Sequence, residues 1–351
     1  MMDQGGRSPR LGGHPPRGTL GYMLAHEQFP VPALVEMGAQ AERAGFRLLA
    51  TSDHFQPWQA NQRHSGAAWI TLAVLGAASK PAWIGTTVTC PIFRYHPAVV
   101  AQAFASLDQL YPGRVFLGVG SGEALNEQAV VGEWPRWRER WDRLIEAITV
   151  IRALWTGQPV RHEGENYRVN AMLRDPPPQP IPLLIAANGP RSMRLAGRHG
   201  DGLITDPVTW RTHKAAWEEG AREADKDPAE LAVLVEHYVV VGGAKETKEA
   251  ASLWRFGAKA FDGYHDIRDP AVIQQRAETE ISDTQATEGW AIGTDPAVHI
   301  QAIQDLFDSG VTIVNVHAGQ ADQARVIGFY GSQVIPTIES RRIRSLQPAQ
   351  L

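Results

Sequence analysis

The sequence predicts a (β/α)8 barrel, and three observations predict it. Short apolar runs of strand composition alternate with helical patterns along most of the 351 residues, the mark of a parallel α/β architecture. Eight such runs lie between Thr19 and His317, the number a barrel of this kind closes with. Titratable and aromatic residues gather directly after them, most densely in Thr51-Ser52-Asp53-His54-Phe55-Gln56-Pro57-Trp58. The exits of parallel barrel strands are where such folds present their chemistry. An open doubly wound sheet is the alternative.

In chain order, Thr19 to Leu24 is the first strand, with His26-Glu27-Gln28 at its end. Pro32 to Ala44 reads as a helix, with proline at its start, Leu34, Met37 and Ala41 on one face, and Gly45 as its stop. The run Phe46, Leu48, Leu49, Ala50 is the second strand and feeds the octapeptide above. Trp69 to Ala78 is a helix of small residues, Trp83 to Val88 the third strand, and Val99 to Leu110 a helix ended by Pro112-Gly113. Val115 to Val119 is the fourth strand. Trp137, Trp141, Leu144, Ile145, Ile148, Ile151 and Trp155 recur at spacings of three and four, so they share a core-facing helical stripe closed by Gly157.

Gly164 to Val169 suggests a small hairpin arm, and Pro176-Pro177-Pro178 a rigid linker. Leu183 to Ala187 is the fifth strand, with Asn188 at its tip and a helix over Arg191 to Arg198. Gly202 to Thr205 is the sixth, Ala215 to Ala224 a helix, and Val233 to Val241 the seventh. A polar, helical insertion follows over about 245–290. Asp295 to Asp308 is a helix, Thr312 to His317 the eighth strand, and a last helix runs through Tyr330 and Ile338 to a basic tail. Residues 19–345 are thus expected to form one barrel domain. Residues 1–18, rich in Gly, Pro and Arg with no apolar segment, read as a disordered leader rather than a secretion signal.

Composition narrows the function. A formal net charge of -4 offers no basic field for nucleic acid. No apolar run reaches membrane-spanning length. The single cysteine, Cys90, rules out an intrachain disulfide and fits a reducing, cytoplasmic setting. Gly118-Val119-Gly120-Ser121-Gly122-Glu123 resembles a dinucleotide loop only superficially, because Glu123 stands where the third glycine belongs. No cluster has metal-ligand spacing, so no metal is expected. Cys90 has no activating base nearby in sequence and reads as a small packed residue.

If the barrel closes, its strand exits bring together Glu27, Asp53, His54, Trp58, Thr87 to Cys90, Glu123, Asn126 and Asn188. Taken singly, each has a plainer role: a solvated glutamate, a hydrogen-bonded structural histidine, a packing tryptophan. An acid, an imidazole and an indole in one cup are less easily accounted for that way.

The resemblance to a known family lies in whole motifs. Ser52-Asp53-His54-Phe55-Gln56-Pro57-Trp58, Phe93-Arg94-Tyr95-His96-Pro97, Ala101-Gln102-Ala103-Phe104-Ala105 and Arg114 through Glu127 closely resemble the luciferase-like barrel superfamily. The branch is that of the F420-dependent glucose-6-phosphate dehydrogenases. Trp290 to Pro296 and Leu253-Trp254-Arg255-Phe256 look more like its hydroxymycolic acid dehydrogenases. The resemblance implies coenzyme F420, an 8-hydroxy-5-deazaflavin that accepts hydride at C5. It implies His54 as the base for the substrate hydroxyl, Glu123 as the acid toward N1 of the ring, Trp58 as a stabilising group and Glu27 as a further active-site carboxylate. It also implies a cis peptide at Thr87-Val88, cofactor contacts at Asp53, Thr87, Val88, Cys90, Ser121, Gly122, Asn126, Ala186, Ala187 and Asn188, and a homodimer.

The departures bear on the substrate. Where the sugar-phosphate enzymes hold phosphate with a Thr, two Lys and an Arg, the alignment places Asp206, Thr209, Tyr264 and Gly289, with His265 beside a lost lysine. No cation remains in that set, and a dianion loses its charge-assisted contacts. A neutral alcohol or sugar is therefore expected. The alternatives are a sugar-phosphate dehydrogenase whose phosphate grip is rebuilt from Arg255, Lys259 or Arg268, a monooxygenase using FMN, and a non-catalytic deazaflavin carrier.

Overall fold

The computed structural model describes residues 13–346, with side chains through Ser340. The chain runs β1 (Thr19–Leu24), α1 (Val31–Ala44), β2 (Leu48–Thr51), α2 (Ala68–Ala78), β3 (Trp83–Thr86), α3 (Pro97–Leu110), β4 (Val115–Val119), α4 (Gln128–Val131) and α5 (Trp137–Trp155). Next come β5 (Val160–Glu163), β6 (Arg168–Ala171), β7 (Leu183–Ala186), α6 (Pro190–His199), β8 (Gly202–Thr205), α7 (Pro207–Arg222) and β9 (Ala232–Val240). The remainder is α8 (Ala244–Trp254), α9 (Pro270–Glu280), α10 (Asp283–Ala286), β10 (Ala291–Ile292), α11 (Pro296–Asp308), β11 (Ile313–Ala318), α12 (Gln323–Phe329) and α13 (Ile335–Leu346).

The strands pair in parallel in the order β9-β11-β1-β2-β3-β4-β7-β8, and β8 pairs back onto β9, so the barrel closes. β10 adds only a short edge to β9. The open doubly wound sheet is thereby set aside. Alternation along the strands splits the core into two layers. Met23, Leu48, Ala50, Trp83, Phe116, Leu184, Ile204, Leu234 and Ile313 fill the barrel interior, while the opposite strand faces pack under the helices. Space inside is tight. A Cβ at Gly118 would stand 2.0 Å from the Thr86 carbonyl oxygen, which only glycine avoids.

Several expected elements change at their edges. β3 ends at Thr86, and a cis bond joins Thr87 to Val88 directly after it. Gly164 to Val169 covers the turn of the hairpin rather than its strands, which flank it as β5 and β6. α7 begins at Pro207 rather than near Ala215, because Asp206 caps it and proline occupies its first turn. Trp141, Leu144, Ile148 and Ile151 of the α5 stripe are buried, whereas Trp137 at its start is 37% exposed.

Of the expected leader, residues 1–12 lie outside the described residues. Pro16 and Gly18 are instead hydrogen-bonded to the barrel base, through Pro16 O to Thr19 N and Gly18 N to Thr312 O, and Arg17 donates to Ala229 O at 2.6 Å. The expected boundary at residue 18 is therefore late.

The insertion lies across the C-terminal mouth of the barrel. Its own small core, with Trp254, Phe256, Tyr264, Ile273 and Ile281, includes Ala25, Trp58 and Leu125 from the strand-exit loops. Gln59 donates to Ser252 O at 2.9 Å and accepts from Phe256 N at 3.1 Å. Gln62 donates to Leu253 O at 3.0 Å. The loop after β2 thus clasps the insertion by its main chain.

Candidate active site

Three buried groups lock the loops after β2, β3 and β4 together. Asp53 accepts from Thr89 Oγ1 at 2.7 Å, from Tyr95 OH at 3.2 Å and from Arg94 Nη2 at 3.1 Å. Arg94 also donates to the Asp53 carbonyl at 2.7 Å, and its backbone N–H to Glu127 Oε2 at 2.8 Å. Glu127 is fully buried, and its carboxyl is pushed up to about 7 by burial, which outweighs Arg94. The Arg94 guanidinium lies closer to Asp53, at 3.1 Å, than to Glu127, at 3.8 Å. Burial, then Asp53, raises the Tyr95 phenol, and burial raises the Cys90 thiol. Arg94, Tyr95 and Glu127 lie in stretches that the sequence marks as motif, yet no residue-level reading gave them a task.

On this base stand the groups expected to do chemistry. Asn126 donates through Nδ2 to Glu123 Oε2 at 3.2 Å, and the same nitrogen lies 3.0 Å from His54 Nδ1. Its Oδ1 accepts from the backbone N–H groups of Phe55 and Gln56, at 2.8 and 3.2 Å. A backbone N–H only donates, so those two bonds fix which end of the amide faces His54. Nδ1 of His54 also lies 3.3 Å from the Gln56 carbonyl. The other edge of the ring, Nε2, faces Glu27 Oε1 at 3.6 Å. Glu27 is buried and accepts from Ser52 Oγ at 2.6 Å, which in turn accepts from His26 N. Trp58 lies against His54, ring centres 5.7 Å apart, and stacks on Phe256 of the insertion at 4.6 Å.

The remaining expected residues divide. Ser121, Gly122, Glu123, Thr87, Val88, Ala186 and Asn188 are half-buried around the mouth. Cys90 and Ala187 lie behind that surface at 3% and 2% exposure. Asp53 is likewise enclosed, its carboxylate taken up by Thr89, Arg94 and Tyr95. Asp206 accepts from Val208 N and Thr209 N as the cap of α7, and the Thr209 hydroxyl closes onto it. His265 reaches the cup through its main chain, accepting from Ala124 N at 2.8 Å beside Glu123. Tyr264 is a correction. It is 0% exposed, with its hydroxyl on Glu280 at 3.1 Å, so it holds the insertion together and offers no surface to a substrate. Arg255 is spent inside the insertion on Ile281 O and Asp283.

Residues 14–312 match the family model described as Luciferase-like monooxygenase. The chain belongs to the luciferase-like family. Within that family, it is 46% identical to the F420-dependent hydroxymycolic acid dehydrogenase of Mycobacterium tuberculosis, over 95% of this chain and 93% of that protein. It is 37% identical to the F420-dependent glucose-6-phosphate dehydrogenase of Nakamurella multipartita, over 93% of this chain and 98% of that one. A solved F420-dependent secondary alcohol dehydrogenase, bound to an F420-acetone adduct, superposes with a TM-score of 0.86 at 33% identity, over 91% of this chain and 98% of that one. These F420-dependent relatives are oxidoreductases acting on CH-OH groups. Among the described residues, no helix is long and apolar enough to cross a membrane.

Proposed function

We propose that this protein is an F420-dependent dehydrogenase that oxidises an uncharged alcohol, with His54 as base and Glu123 as acid. The observation that carries the reading is the Asn126 amide, which joins the two proton-handling groups and ties both to one rigid base. A carrier of the cofactor has no use for such a pair.

The cup suits a flat deazaflavin. Its wall at Ser121, Gly122 and Ala186 is made of small residues, and the Ser121 hydroxyl and Asn188 amide supply neutral hydrogen-bonding groups. Thr87, Val88, Ser121, Gly122, Ala186 and Asn188 would hold the ring system, with Cys90, Ala187, Asp53 and Asn126 supporting that wall. When bound, F420 supplies a two-electron acceptor that takes hydride at C5.

The protein's own part is proton management. At Nδ1, His54 is offered both a donor, Asn126, and an acceptor, the Gln56 carbonyl. With Nδ1 accepting from Asn126 the proton sits on Nε2; turning Nδ1–H onto the Gln56 carbonyl gives up the Asn126 bond and frees Nε2 to take the hydroxyl proton. The imidazolium then donates Nδ1–H toward Gln56 O while Nε2–H faces the Glu27 carboxylate. Trp58 limits the ring's swing and shields the site from water. Glu123 is placed to give a proton on the opposite side of the amide. The single cysteine and the family resemblance support a cytoplasmic homodimer as the working form, and one barrel with an insertion as its domain plan.

A spectral titration of the purified protein with F420, followed by an alcohol panel, tests the proposal. Bleaching of oxidised F420 by a neutral alcohol and not by glucose 6-phosphate is expected. Binding of FMN in place of F420 would overturn it, and bleaching by glucose 6-phosphate would overturn its substrate half.

A further inference from the structure

The seventh and eighth barrel strands carry a polar cluster that the chemistry above leaves unused. Glu236 and Tyr238 on β9 follow Leu234 at alternating positions, and His317 on β11 follows Ile313 and Asn315 in the same way. Since Leu234 and Ile313 fill the barrel interior, Glu236 faces inward one layer nearer the mouth, and Tyr238 and His317 two layers nearer. The register pairs Asn315 with Glu236 and His317 with Tyr238.

Their contacts leave hydrogen-bonding capacity over. His317 Nδ1 donates to Glu236 Oε1 at 2.7 Å, and among the described residues His317 is the only ion-pair partner of Glu236. His317 is 2% exposed, and its Nε2 is buried with no partner. Buried polar atoms are rarely left so unless water or a ligand meets them. The Glu236 side chain keeps 23% of its surface exposed. Tyr238 stacks on His317 at 4.2 Å and on Trp290 at 4.8 Å. Burial, then the Glu236 carboxylate beside it, which also takes up the Tyr238 hydroxyl, holds its phenol far above the ordinary value. Tyr238 packs on Trp254, Trp254 on Phe256 and Phe256 on Trp58, so the cluster continues the aromatic wall against which His54 lies.

We propose that Glu236, His317 and Tyr238 form a substrate-recognition subsite that takes a second, uncharged hydroxyl of the alcohol and turns away anions. The warrant is the partly exposed Glu236 carboxylate, held in place by the buried His317 at the mouth end of the two strands. Glu236 accepts the substrate's O–H, while an anion there meets the Glu236 carboxylate. This inference rests on the alcohol-dehydrogenase reading and narrows it to polyhydroxylated neutral substrates.

Three matched secondary alcohols test it with the F420-loaded protein: propan-2-ol, propane-1,2-diol and lactate, which differ only in a methyl, hydroxymethyl or carboxylate group. The diol is expected to exceed propan-2-ol about tenfold in kcat/KM, chiefly through KM, with lactate lowest; a hydrogen bond to a charged group is worth about that factor. Glu236→Gln should bring the diol to propan-2-ol ratio toward one and raise lactate relative to both, and Tyr238→Phe should lower the same ratio. Glu236→Asp should restore part of it. Each variant's far-UV circular dichroism and melting curve show that it is folded.

Tryptophan fluorescence reads the same order without turnover, because Trp290 stacks on Tyr238. Should wild type fail to bind F420, the enzymatic reading falls. A diol-dependent fluorescence change that Glu236→Gln abolishes would still support the subsite. An unchanged ratio in folded Glu236→Gln, or no discrimination by wild type in either readout, would overturn it.

Discussion

The Asn126 side-chain nitrogen lies 3.0 Å from His54 Nδ1, and its orientation is set from the far end, where Oδ1 accepts two backbone N–H groups. One uncharged residue thereby fixes the rotamer of an imidazole and the position of a carboxylate on two different loops. Asn126→Ala should lower kcat about 100-fold, within the range ascribed to a general acid–base group, with KM nearly unchanged. Its pH–rate profile should broaden as the two groups lose their link. Steady-state kinetics from pH 5 to 9 would show this, and an unaltered profile would remove Asn126 from the mechanism.

The proposed base role of His54 has its own test. His54→Ala should abolish turnover while leaving F420 affinity, read by fluorescence titration, nearly unchanged. Loss of cofactor binding would mean that the ring is a cofactor contact rather than the base.

Glu127 gives a stability signature rather than a kinetic one. Its carboxyl ionises near 7 when folded against about 4.5 when unfolded, so the folded protein holds the extra proton between those values. The resulting stabilisation is complete below about pH 4.5, declines as pH rises to 7 and is gone above it. The shift corresponds to on the order of 3 kcal/mol. Glu127→Gln, which mimics the protonated form, should gain on wild type as pH rises from 4.5 to 7 in urea denaturation. Parallel curves across that range would refute the assignment.

Removing Arg94 should be costly near neutral pH. Arg94→Met strands Asp53 and Glu127 in a buried setting, where the loss of one ion-pair partner costs about 3–5 kcal/mol. A fall of several degrees in melting temperature is expected, along with weaker F420 binding as three loops loosen. A variant as stable as wild type would show that Tyr95 and Thr89 suffice for Asp53.

Trp58→Ala should uncouple the insertion. The indole bridges His54 and Phe256, and a buried tryptophan cut to alanine costs about 3–5 kcal/mol. Hydrogen exchange across residues 250–290 should quicken more than exchange in the barrel strands. Uniform acceleration would place the indole in the common core instead.

The barrel was legible because its signals are local. Each strand is a short apolar run, and several of the helices between them carry a proline start or glycine stop, as with α1. The cup was legible for the same reason, since strand exits converge once the fold is granted. Long-range contacts were not. Nothing in the spacing of Tyr264 shows it wholly enclosed by the insertion, and nothing near Asp53 shows both its oxygens occupied by residues some forty positions away. Glu236, Tyr238 and His317 escaped because each sits within an apolar strand, where alternation places it inside the barrel but pairing gives it its partners. For Asp206 and Thr209, an alignment position does not reveal that the carboxylate caps a helix.

The clasp between the loop after β2 and the insertion has a consequence for how such a protein changes over time. Gln59 and Gln62 hold the insertion through Ser252 O, Leu253 O and Phe256 N, all main-chain atoms. Side chains elsewhere in the insertion can therefore be exchanged without breaking these bonds. New specificities can be explored there while the loop bearing His54 keeps its anchor, so that divergence of the lid and preservation of the chemistry are compatible in one chain.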